Sequence, residues 1–138
     1  MSETIVSPKK IYELALPNGY GLEENEETIV VYNVENGIGA INITNYQIPN
    51  DYDFNAEEEL RDFVKSIDGN VDSQILQVTL RNNEYACSEF FNVDRFWKIW
   101  TLFKRPHAVF ASYNCDEKDK TSEMDKVVKI IQTIKITK

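Results

Sequence analysis

The stretch RFWKIWTLFKRPHAVFASYNC, residues 95–115, holds two tryptophans, three phenylalanines, a tyrosine, the only histidine and one of the two cysteines. Its alternating pattern predicts strands at 95–104 and 107–114, and Arg105-Pro106 predicts the turn between them. Neighbouring strands joined by so short a turn pair antiparallel. The stretch therefore predicts two adjacent strands that carry much of the core of an antiparallel sheet.

The first of these strands has two different faces, because successive side chains point to opposite sides of a sheet. One face is almost wholly apolar and is predicted to be core: Trp97, Ile99, Thr101 and Phe103. The other alternates apolar residues with Lys98 and Lys104, and lysine seldom buries its ammonium group. We therefore interpret Lys98, Trp100 and Lys104 as the best candidate partner-binding surface, since tryptophan often anchors interfaces. The competing interpretation places Trp100 under a helix, with the lysine ammonium groups reaching solvent.

The same period-two alternation recurs along the rest of the chain. It predicts strands at 9–16, 28–34, 38–46, 74–80 and 84–92. Helical spacing of apolar residues predicts one helix after Asn55, with Glu58 in capping-box position, and another capped by Thr121 or Ser122.

Strands thus outnumber helices, and parallel βαβ alternation does not fit. The predicted class is α+β, with a central antiparallel sheet of about six to seven strands flanked by two or three helices. A chain of 138 residues is expected to form one domain, here 9–138, preceded by a flexible tail at 1–8.

The charge distribution limits the classes of partner. Residues 1–72 hold 15 acidic and 4 basic side chains within a formal net charge of −8, so a phosphate backbone would be repelled and nucleic-acid binding is not expected. No apolar run is long enough to span a membrane, and MSETIVSPKK is unlike a secretory signal. A cytoplasmic location is expected, with Cys87 and Cys115 as reduced thiols.

Catalytic chemistry has little support in the residues. Acid–base catalysis would rest on His107, and in a strand at 107–114 it points away from Ser112, five residues on. There is no phosphate-binding loop, nucleophile elbow or EF-hand pattern. We predict no enzyme activity, no metal and no cofactor. The alternative is a small-molecule binder or hydrolase with a cleft near His107, Tyr85 and Tyr113.

Four segments carry a resemblance to a known family. They are LALPNGYGLEE at 14–24, NGIGAINITNY at 36–46, AEEELRDFV at 56–64, and the closing pattern that runs from HAVFASYN to EMDKVVKIIQTIKI over 107–136. Their order resembles the Mog/PsbP-like superfamily, especially small bacterial members of unknown function. The resemblance implies an antiparallel sheet sandwiched by helices. It also implies protein binding, as in a Ran-binding factor, a photosystem subunit and secretion adaptors, and it supplies no catalytic motif.

The function predicted from these observations is a non-enzymatic cytosolic module that binds one protein partner, such as an adaptor or an immunity-type protein. Its contact surface would be the acidic half of the chain or the face that carries Trp100. A weaker alternative is self-association through an exposed strand edge.

Overall fold

The computed structural model describes residues 2–35, 37–66, 75–80, 83–92 and 95–137. Within these residues there are two α-helices and ten strands, with one short 3-10 turn at Glu117–Asp119. The helices are α1 (Ala56–Ser66) and α2 (Met124–Gln132). The strands are β1 (Ser2–Val6), β2 (Tyr12–Pro17), β3 (Tyr20–Glu24), β4 (Thr28–Asn33), β5 (Ala40–Gln47), β6 (Ile75–Leu80), β7 (Asn83–Asn92), β8 (Arg95–Lys104), β9 (His107–Asp116) and β10 (Lys135–Ile136).

The strands form two antiparallel sheets. The larger has the order β3-β4-β5-β9-β8-β7-β6, and the smaller has the order β1-β2-β10. In the larger sheet the predicted pairing of β8 with β9 is present, with Trp100 opposite Ala111 and Lys104 opposite His107. The α+β class with antiparallel sheets is therefore confirmed.

Two apolar cores lie on opposite faces of the seven-stranded sheet. On one face, Ile99 and Ala108 pack with Leu60 of α1. The side chain of Asn55 accepts a hydrogen bond from the N–H of Glu58 at 3.1 Å, which is the predicted cap of α1. The other face packs against β2 and α2, and this core is the larger: it includes Tyr12, Leu14, Leu16, Trp100, Tyr113, Val127, Ile130 and Ile131.

The prediction differs from the structure at the N-terminal end of the chain. Residues 2–6 form β1 on the edge of β2 instead of a flexible tail. Because the side chains of β1 are mostly exposed, no apolar alternation indicated this strand. No strand was predicted in the acidic segment at 21–27, and its first part belongs to β3, an edge strand. Charged residues are common on edge strands, where they discourage pairing with other chains.

The single predicted sheet is also corrected. The segment that contains β2 was assigned to the central sheet, but β2 lies in the small sheet between β1 and β10. Its inner residues, Tyr12, Leu14 and Leu16, are buried. The small sheet is thus a second layer, and together with α2 it covers one face of the larger sheet.

Candidate functional site

The predicted partner-binding surface on β8 is not exposed. Trp100 retains only 2% of its accessible surface and belongs to the larger core. Lys98 is half-buried, with Nζ 5.7 Å from the centre of the Trp100 ring, and Lys104 is exposed beside the turn. Of the two interpretations of this face, the one with Trp100 covered is confirmed, because the small sheet and α2 lie over it. Trp100 is therefore not an exposed anchor.

The alternative cleft near His107 does not assemble in the described residues. His107 and Tyr113 lie at opposite ends of β9, and six residues of strand span about 20 Å. The His107 side chain is half-buried, and its Nδ1 atom has no hydrogen-bond partner within the described part of the chain. The backbone of Tyr85 pairs with Leu102, while its side chain lies outside what the structure describes.

Tyr113 instead belongs to a buried polar cluster at the start of α2. The carboxylate of Glu123, 6% exposed, accepts hydrogen bonds from Tyr113 at 2.7 Å and from Tyr20 at 2.8 Å. The two phenols use different carboxylate oxygens. We name Tyr20, Tyr113 and Glu123 the tyrosine–glutamate cluster. It joins β3, β9 and α2.

Glu123 also occupies the N-cap position of α2, where Thr121 or Ser122 was predicted. Its backbone carbonyl accepts the N–H groups of Lys126 and Val127, both at 3.0 Å. Its side chain makes no capping bond, because both carboxylate oxygens accept the phenols. The helix therefore begins later than predicted.

The ring of Tyr113 occupies space that is free because residue 39, in the connection between β4 and β5, is a glycine. A Cβ atom added at Gly39 would lie 2.8 Å from that ring and 2.5 Å from the backbone oxygen of Asn114. Contacts this short do not occur in folded proteins, so only glycine fits without movement of β9. The position of the phenol thus depends on the absence of a side chain at residue 39.

The cluster changes the acidity of its phenols. Burial, then the hydrogen bond to Glu123 and its charge, raises the pKa of Tyr20 to about 12 from the ordinary 10.0. Burial and the same carboxylate also raise the pKa of Tyr113. Both groups are therefore neutral hydrogen-bond donors over the physiological pH range.

A testable consequence is a loss of stability at high pH. Because the folded protein holds the Tyr20 proton more tightly than the unfolded chain, the stabilisation is complete below pH 10 and is lost as the pH rises towards 12. The midpoint of urea unfolding should therefore fall between pH 9 and pH 12, roughly from the ordinary tyrosine pKa upward. The fall should be smaller in Tyr20→Phe, and an equal fall in both proteins would contradict this role.

Tyr20 also forms part of an open groove between β2 and α2. Strand β10 pairs with Tyr12 and Glu13, and no other strand of the described residues lies beside the remainder of β2 on that side. Thr133 covers the next position, where its Oγ1 atom accepts the N–H of Ala15 at 2.9 Å. Beyond it the space between β2 and α2 is a cavity of about 300 Å³.

We name this cavity the β2–α2 groove, and both apolar residues and two lysines line it. Its main residues are Ala15, Pro17, Tyr20, Lys126, Lys129 and Ile130. A second cavity of about 270 Å³ adjoins it, sharing Ser2 and Tyr20, and is lined also by Glu3. The two cavities share Ser2, Pro17, Asn18 and Tyr20, and we refer to them together as the depression at the end of β2.

The two groove lysines are available for an external anion. Both are exposed, and the ion pairs found among the described residues join Arg61 to Glu57 and Arg95 to Asp116. Glu123 is close to them in sequence, but its carboxylate is occupied by the two phenols. The groove thus combines an apolar wall with two exposed positive charges.

No group of three or more metal-binding side chains is found within the residues that the structure describes. No helix in that part of the chain is both long and apolar enough to cross a bilayer.

Sequence reasoning did not find the groove. One wall comes from β2 and the turn after it, and the other comes from α2. The two walls are more than a hundred residues apart in sequence, as the 118-residue interval between Ala15 and Thr133 illustrates. The spacing of Lys126 and Lys129 places them one helical turn apart. That signal was present in the sequence, but lysines on the exposed side of a helix are too common to indicate a site by themselves.

Comparison with known proteins supports the fold and does not supply an activity. No family model and no curated protein matched the chain. Among solved structures, the cyanobacterial PsbP (CyanoP) of Synechocystis sp. PCC 6803 has a TM-score of 0.77 at 12% identity, over 99% of this chain and 92% of that one.

Two further structures share the architecture at lower similarity. LpqN of Mycobacterium tuberculosis, which is involved in cell envelope biogenesis, has a TM-score of 0.58 at 12% identity, over 100% of this chain and 91% of that one. A protein of unknown function from Pseudomonas aeruginosa has a TM-score of 0.57 at 6% identity, over 99% of this chain and 97% of that one. The resemblance predicted from the sequence is thus confirmed at the level of the fold.

Proposed function

We propose that this chain, which has the PsbP-like fold, is a non-enzymatic cytosolic module that binds a protein partner along the β2–α2 groove. The observation that carries the proposal is the open groove, with its apolar wall at Ala15, Pro17 and Ile130. Pockets for small molecules bury most of their ligand's surface. An open groove covers one side of its occupant, which suits a segment of a protein chain.

The edge of the small sheet adds support for a protein partner. Strand β1 is the outer strand of the order β1-β2-β10, so one row of its backbone groups faces no other strand of the described structure. Such edges bind extended segments by main-chain hydrogen bonds, while neighbouring pockets provide specificity. Ser2 of β1 also lines the groove, so the two features adjoin.

A non-enzymatic role is supported by the structural part that the buried polar side chains play. The phenols of Tyr20 and Tyr113 bind Glu123 within the core, where they hold elements together. The alternative of a small-molecule binder or hydrolase near His107 has less support, because β9 separates His107 from Tyr113. The cytosolic location is supported by Cys87 and Cys115, which form no disulfide with each other.

The layers are also consistent with the α/β/α sandwich of the Mog/PsbP-like superfamily. Helix α1 packs on one face of the larger sheet, and α2 packs on the other together with the small sheet. In this proposal the small sheet provides one wall of the binding groove.

The proposal is tested by filling the groove. Ala15→Trp places an indole in the groove from β2, and Ser2→Trp places one in the groove from β1. Asp62→Trp adds the same ring to the exposed side of α1, on the opposite face of the larger sheet, and is the matched control. Circular dichroism and thermal unfolding establish that each variant is folded.

The measurement is affinity capture from the native host, followed by calorimetry with the purified partner. We expect one partner at a 1:1 ratio with the wild type and with Asp62→Trp, and at least about a tenfold weaker Kd with a folded groove variant, which corresponds to about 1.4 kcal/mol. Undiminished binding to both groove variants would exclude the groove. Capture of no stoichiometric partner by the wild type would count against the binding module itself.

A further inference from the structure

We infer that the partner segment carries an aspartate or glutamate beside apolar side chains, and that Lys126 and Lys129 recognise its carboxylate. This inference rests on the proposed function, since it names the chemistry of the occupant of the same groove. The apolar side chains would pack on Ala15, Pro17 and Ile130. The carboxylate would lie between the two ammonium groups.

Charge complementarity selects an acidic occupant. The protein has a formal net charge of −8, yet the charged side chains that line the β2–α2 groove are Lys126 and Lys129. Lysines one turn apart on a helix have Cβ atoms about 5–6 Å from each other, so both side chains can reach one carboxylate. The net charge of the protein disfavours an acidic segment in general, whereas the two lysines favour one at the groove.

The adjoining cavity gives the bound segment a direction. That cavity is lined by Glu3 in place of the two lysines. A carboxylate is therefore favoured at the α2 side of the depression and disfavoured at the β1 side. We expect the acidic residue of the partner near α2, and neutral or basic residues where the segment passes Ser2 and Glu3.

The experiment is selection from a phage-displayed library of random twelve-residue peptides, with the full chain as bait. Four baits are compared, and three of them are the wild type, the double variant K126Q/K129Q and the double variant K9Q/K65Q. The last removes two exposed lysines that do not line the groove, so the two double variants have equal net charge. Ala15→Trp is included as the bait with the groove filled.

We expect the wild type and K9Q/K65Q to enrich peptides with aspartate or glutamate next to apolar residues. K126Q/K129Q should retain the apolar preference and lose the acidic one. One selected peptide is compared with an analogue in which asparagine or glutamine replaces its acidic residue. Fluorescence polarisation should give a Kd about three- to tenfold lower for the acidic peptide, because two partly exposed ion pairs contribute a free energy of that size. This ratio should fall to about one in K126Q/K129Q, and it should shrink in the wild type as salt is added.

The possible failures are distinguishable. Groove-dependent peptides without acidic enrichment would overturn the inference and leave the protein-binding function standing. Acidic enrichment that persists in K126Q/K129Q would overturn the assignment of these lysines. Selection of no groove-dependent peptide would overturn the inference together with the proposed function, and binding of sodium decanoate in that case would assign the groove to free anionic amphiphiles.

Discussion

Replacing Trp100 with alanine is expected to lower the free energy of unfolding by about 3–5 kcal/mol, the range for truncating a large aromatic side chain in a core. Trp100 is 2% exposed and packs between the larger sheet and the layer formed by the small sheet and α2. Its removal leaves a cavity that the surrounding strands fill only partly. The change is measured by urea unfolding at pH 7, followed by circular dichroism.

Lys104→Ala is the matched control for Trp100→Ala. Both residues lie on β8, and Lys104 is exposed, so its loss should change the free energy of unfolding by less than about 0.5 kcal/mol. If Trp100 were an interface residue, Trp100→Ala would have a similarly small effect on the isolated protein. A loss below about 1 kcal/mol would therefore contradict the burial of this ring.

Glu123→Ala is expected to cost about 2–5 kcal/mol, because two buried phenols lose their acceptor at once and each unsatisfied group costs about 1–3 kcal/mol. The affected bonds are those from Tyr20 and Tyr113. Since the Glu123 side chain makes no capping bond to α2, loss of a helix cap does not account for the effect. Glu117→Ala, at an exposed carboxylate just before α2, is the control and should be nearly neutral.

A mutant cycle separates the hydrogen bonds from other effects of Glu123→Ala. When Tyr20→Phe and Tyr113→Phe are already present, no phenol remains to lose its acceptor, and the further cost of Glu123→Ala should be smaller. We expect a coupling energy of about 0.5–3 kcal/mol, as for residues in one hydrogen-bonded network. Strict additivity would show that the cluster does not act as a unit.

The sequence predicted every strand of the larger sheet except β3, because the signals of the others are local. Alternation along residues 95–114 indicated β8 and β9, and Asn55 with Glu58 indicated the start of α1. Each of these signals depends on residues a few positions apart. The sequence also divided β8 correctly into two faces.

The covering of those faces could not be predicted in the same way. Trp100 alternates with lysines, and such a face is half-exposed unless another layer covers it. That layer includes β2 and α2, from opposite ends of the described chain, and no local pattern indicates that they meet. For the same reason Glu123 resembled one more solvated acid in a polar segment, although its partners are Tyr20 and Tyr113.

The small sheet combines strands that are far apart in sequence, and this has a consequence for folding during protein synthesis. Strand β2 is translated before every strand of the larger sheet, but β10, which pairs with Tyr12 and Glu13, is translated last among the strands described. The edge of β2 at Tyr12 and Glu13 therefore has no strand partner until β10 has been made. The nascent chain is therefore expected to complete the small sheet only after Ile136 has emerged, so that this sheet forms later than the pairing of β8 with β9.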